Sequence, residues 1–91
     1  MKKLTKEEAR LKVLQHLKRL VKYWDTCPNA GTQAERIDGV IFSLLVTLDG
    51  GSGDFPAMDI VLRPHKEDNS EFKNGMAIND DCQLHELWSR I

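Results

Sequence analysis

Residues 32–48 read TQAERIDGVIFSLLVTL, and the fold turns on whether that run is a helix or a strand. Its second half, Val40 to Leu48, is aliphatic and rich in β-branched residues, as a buried strand would be. The spacing of the small and polar residues points the other way. Glu35, Gly39, Ser43 and Thr47 recur every four positions, which traces one line down a helix, and nearly everything around that line is apolar from Ile37 onward. The run is also far longer than the common strand of about 5–6 residues. Thr32 followed by Glu35 forms a T-x-x-E capping box, so the spacing predicts a helix over 32–48, buried on most sides. Gly39 within it costs about 1 kcal/mol relative to alanine. The compensation expected is close approach: Gly39 and Ser43 let another backbone pack tightly on that face.

Upstream, Thr5 and Glu8 form a second capping box, with Leu4 at the staple position before it. Ala9, Val13, Leu14, Leu17, Leu20, Val21 and Trp24 then recur at three- and four-residue steps, predicting one apolar helical face over 6–24. Lysines and arginines take the opposite face. Pro28 and the turn residues Asn29 to Gly31 end that helix and set up an antiparallel pair with the next.

Downstream comes LDGGSGDFP, residues 48–56. A phosphate-cradling loop precedes a helix and carries a lysine; this loop follows one, has no lysine, and is flanked by Asp49 and Asp54. A calcium loop needs more oxygen ligands at alternating positions. Gly50 instead fits the left-handed residue that closes a helix. Met58 to Leu62 alternates like a strand, and Met76 to Ile78 offers a partner across a polar loop at about 65–75. Asp80 and Gln83 form a capping-box variant that opens a last helix over about 81–90, with Leu84, Leu87, Trp88 and Ile91 apolar. The expected fold is a single α+β domain over 1–91, with two long antiparallel helices, a small antiparallel β-hairpin and a short C-terminal helix.

Composition narrows function mainly by exclusion. The chain is 41% hydrophobic and 30% charged with net charge −1, a balance that argues against disorder and against a surface wholly committed to nucleic acid. The charge is uneven: Lys2, Lys3, Lys6, Arg10, Lys12, Lys18, Arg19 and Lys22 crowd residues 1–23 against Glu7 and Glu8. A basic helix can contact RNA, but a solvated face is the simpler reading, so nucleic acid is not an expected partner. No apolar run is long enough to span a membrane. Cys27 and Cys82 lack a CxxC neighbour and no secretory leader precedes them, which predicts free thiols and a cytoplasmic setting.

No convergent catalytic signature is legible. The histidines are His16, His65 and His85; no pair of cysteines or histidines has zinc-ligand spacing, so neither a metal nor a cofactor is expected. Glu35 and Asp38 form an E-x-x-D pair that could hold magnesium only with a matching acidic pair, and the first helix supplies none. The remaining candidates for a binding site are Asp49, Asp54, Asp59 and His65, of which His65 sits in the most loop-like context. The few aromatics do not interleave with basic residues as single-strand binders require.

The stretch GVIFSLLVTLDG, residues 39–50, with LHELW at 84–88, resembles a small uncharacterised bacterial or prophage-associated domain family with a G-V-x-F-S-x-L-x-x-L-D-G core. The resemblance covers roughly residues 35 to 88. It implies a similar fold and a bacterial cytoplasmic setting, and no activity. The function expected is a non-catalytic interaction or regulatory module with a protein partner or a second copy. Alternatives are a ligand-binding or enzymatic domain built on the acidic residues around 49–59, and nucleic-acid contact through the basic first helix.

Overall fold

The computed structural model describes residues 2–91. Helix α1 runs Lys6–Thr26, α2 runs Gln33–Leu48 and α3 runs Leu84–Trp88. By chain contacts the molecule divides into two compact units, Met1–Leu44 and Leu45–Ile91.

In the first unit both capping boxes form. The Glu8 amide donates to Thr5 Oγ1 at 3.1 Å, and the Thr5 amide donates to Glu8 Oε1 at 3.0 Å. Thr32 and Glu35 exchange the same pair at 3.1 and 3.2 Å. The Thr5 bonds hold the Glu8 carboxyl below its ordinary range, and the Thr32 bonds do so for Glu35.

The six-residue interval between α1 and α2 is locked from the α2 side. The orphan carbonyls at the end of α1 would otherwise need water or a capping side chain. Arg36 supplies the cap: Nη1 donates to Trp24 O at 2.6 Å and Asp25 O at 3.0 Å, and Nε donates to Gly31 O at 3.1 Å. The line Gly39–Ser43 receives Trp24. A Cβ on Gly39 would lie 2.6 Å from the indole ring, and indole Nε1 donates to Ser43 Oγ at 2.9 Å. Close approach is thus made to a tryptophan side chain rather than to a backbone. The next residue of that line, Thr47, is buried.

α1 departs from the expectation of one apolar face. Val13, Leu17, Leu20 and Trp24 are half-buried, whereas Leu11, Leu14 and Val21 are 55%, 53% and 53% exposed. At 100° per residue these sets fall on different sides of the helix, so α1 carries two apolar stripes. His16 is buried, because it flanks the inner stripe.

In the second unit α2 ends as its glycines require. Gly50 has φ +83°; its amide donates to Thr47 O at 3.0 Å, and the Gly51 amide donates to Val46 O at 2.9 Å. That bond pattern is a Schellman closure, with Asp49 as C-cap.

The α+β expectation is overturned. Among the described residues there is no sheet; segments 58–62 and 76–78 meet antiparallel at one isolated bridge, Val61 to Ala77. Backbone bonds flank it, Leu62 N–H to Met76 O at 2.9 Å and Ile78 N–H to Ile60 O at 3.0 Å. The ladder stops there because a side chain takes the next rung. The buried Asn79 carboxamide accepts from the Ile60 amide at 2.7 Å and donates to Met58 O at 2.8 Å, as a partner strand's peptide would. The described residues form three helices, with an irregular, side-chain-stitched segment before α3. The last helix is also shorter than the 81–90 expected, since Gln83 is its N-cap and makes no side-chain cap bond.

Candidate functional site

The second unit brings together two of the four candidate residues and adds one that sequence reasoning did not connect to them. Asp49 follows the last residue of α2, and its side chain is 1% exposed. Its carboxylate accepts from the Leu84 amide at 2.9 Å, the His85 amide at 2.9 Å and His85 Nδ1 at 2.6 Å. Asp49 therefore caps α3 from 35 residues earlier in the chain, the task that Asp80 was expected to perform locally. Burial works against its charge. The His85 amide and ring, the Leu84 amide and the nearby imidazole outweigh that effect and hold the carboxyl below its ordinary range. An ionised carboxylate only accepts, so Nδ1 of His85 carries the bonding proton.

Asp49 and Asp59 both line a cleft of about 140 Å³, with Leu48, Met58, Asn79 and Cys82. Asp54 and His65 are elsewhere on the surface, each occupied with its own turn. The Asp54 amide donates to Ser52 Oγ at 3.4 Å. The His65 amide donates to Asp68 Oδ2 at 3.0 Å, and His65 Nδ1 accepts from the Glu67 amide at 3.3 Å. The four do not form one site.

An aspartate–histidine pair can serve nucleophilic catalysis when it activates a neighbouring hydroxyl or thiol. The chemistry here runs against that use. Cys82 is the thiol in the cleft, and burial together with Asp81, Asp49 and Asp80 pushes its pKa up, away from the reactive thiolate. The Ser89 hydroxyl donates to His85 O at 3.1 Å. Asp49 has its oxygens committed to α3. The pair is a structural clasp between the end of α2 and the start of α3.

The first unit holds a larger open groove of about 470 Å³, lined by Trp24, Phe42, Ala30, Ala34, Glu35 and Asp38. Glu35 there is engaged in its capping box. Among the described residues no group of three or more histidine, cysteine, aspartate or glutamate side chains is placed to hold a metal ion. Nor is any helix long and apolar enough to cross a membrane.

No signal in the sequence pairs position 49 with position 85; the LDG motif marks Asp49 as a helix end, and the pairing is purely tertiary. No protein-family model matches the chain, and comparisons with curated proteins and with solved structures return no match.

Proposed function

We propose that this chain is a small non-catalytic interaction module that works in an assembly. The observation that carries this reading is the state of its apolar residues. Among the described residues no apolar side chain is buried, while Leu4, Leu11, Leu14, Val21, Ile37 and others are at least half exposed. A domain that folds to function alone closes a core; this one leaves its large aliphatics half-covered or open.

The surface area supports the same reading. The chain exposes 7640 Å². A compact monomer of its 10.4 kDa mass exposes about 5,400 Å², and even two separate bodies of half that mass expose about 6,500 Å² together. The excess over the larger figure is about 1,100 Å², against the roughly 800 Å² that each partner buries in a standard stable interface. The cytoplasm suits the two thiols, since Cys27 and Cys82 are both free.

Light scattering tests the reading. The expected result is a mass above the 10.4 kDa of one chain, or a monomer that binds an apolar dye and melts without cooperativity until a partner covers it. A monomer with a sharp melt and no dye binding contradicts it.

A further inference from the structure

We infer that the covering surface is a second copy of the chain, docked through α1 in an antiparallel, two-fold arrangement; this rests on the interaction-module reading above. The outer stripe of α1 is Leu11, Leu14 and Val21, each more than half exposed, and Leu4, just before the extended N-cap Thr5, is half exposed as well. Glu7 and Lys18 interrupt it, and both are exposed. Glu7, Leu11, Leu14, Lys18 and Val21 follow one another at steps of four, three, four and three, which are the a and d positions of a heptad seam.

The order of residues along the seam selects the partner and its direction. Glu7, Leu11, Leu14 and Lys18 are symmetric about the bond between residues 12 and 13. Two antiparallel copies in that register place Glu7 opposite Lys18 and Leu11 opposite Leu14, each twice, with Val21 at the end of the seam where the partner's chain enters its helix. Both polar interruptions then become ion pairs between opposite charges. A parallel pair would set Glu7 against Glu7 and Lys18 against Lys18, which is repulsive in both layers. A charged residue at a seam position costs stability and specifies register, and here only the antiparallel register satisfies both at once. The contact is isologous, so it closes as a dimer. The basic residues flanking the seam repel across the dimer, and physiological salt screens exposed charges beyond about 8 Å.

Charge reversal provides the test, read by sedimentation equilibrium in physiological salt with helicity checked by circular dichroism. Wild type is expected to be a dimer. Lys18→Glu sets Glu7 against glutamate in both layers and should weaken dimerisation on the order of tenfold or more. Glu7→Lys should weaken it similarly, and the double variant Glu7→Lys/Lys18→Glu should recover most of the wild-type affinity. That rescue is specific to the antiparallel register, because in a parallel pair the double variant keeps like charges in contact. An oligomer indifferent to both single changes, or weakened by both and not rescued, overturns the helix pairing while leaving the interaction-module reading in place. A monomeric wild type that binds apolar dye and melts broadly overturns self-association and leaves another partner to cover the stripe. A monomeric wild type with a sharp melt overturns both.

Discussion

Asp49 shows how much one side chain can carry where no apolar side chain among the described residues is buried. Its carboxylate joins the end of α2 to the first turn of α3 through two backbone amides and the His85 ring. Hydrogen bonds to charged groups are worth about 1.5–3 kcal/mol each, and removing one member of a buried pair strands the others. Asp49→Ala should therefore cost about 3 kcal/mol in a urea melt. The pH dependence follows from the direction of the shift. Folding lowers the Asp49 pKa from an ordinary value of 3.8, so the unfolded chain binds the proton more readily. The stabilisation is fully present above that value and is lost as pH falls toward the lower folded-state pKa. Asp49→Asn cannot ionise, so it should flatten the acid limb of the stability curve. An unchanged acid limb in that variant would assign the sensitivity to other carboxyls.

Among the elements, α2 was the most legible because its signals are local. The capping box at Thr32, the four-residue line and the glycine stop all concern residues within one or two turns of each other; the cap and the stop take their expected places, whereas the line receives the Trp24 ring rather than a backbone, and Ile37 is exposed. The hairpin that alternation predicts over 58–62 and 76–78 reduces to one bridge, because a period of two in the side chains does not ensure a ladder of backbone bonds. Asn79 supplies from its side chain what a second strand would supply from its peptides, and an asparagine in a polar stretch gives no sign of that role. α3 is shorter than the local signals predict for a related reason: its cap comes from the distant Asp49 rather than from Asp80. Within α2, Gly39 offers a test by sign. Helix propensity alone predicts that Gly39→Ala stabilises by about 1 kcal/mol. The new methyl would lie within 2.6 Å of the Trp24 ring, and overpacking costs about 1–3 kcal/mol, so we expect net destabilisation in urea. A stabilised variant would mean that Trp24 does not seat in the Gly39–Ser43 groove.

At the level of the whole molecule, periodicity located the apolar residues of α1 but did not say how many surfaces they serve. Leu14 and Val21 continue the three- and four-residue rhythm of Val13, Leu17 and Trp24, and only their exposure reveals a second stripe. The candidate site was less legible still, since Asp49 was identifiable as a helix end but its bond to His85 depends on tertiary placement. The central claim is that this chain completes its apolar burial against a copy of itself. Folding coupled to self-association makes the melting temperature depend on concentration by mass action. The most direct test is the thermal melt of the wild-type protein, followed by circular dichroism over about a hundredfold range of chain concentration. We predict a transition that sharpens and moves steadily upward with concentration. A cooperative transition at one fixed temperature across the whole range would contradict the account.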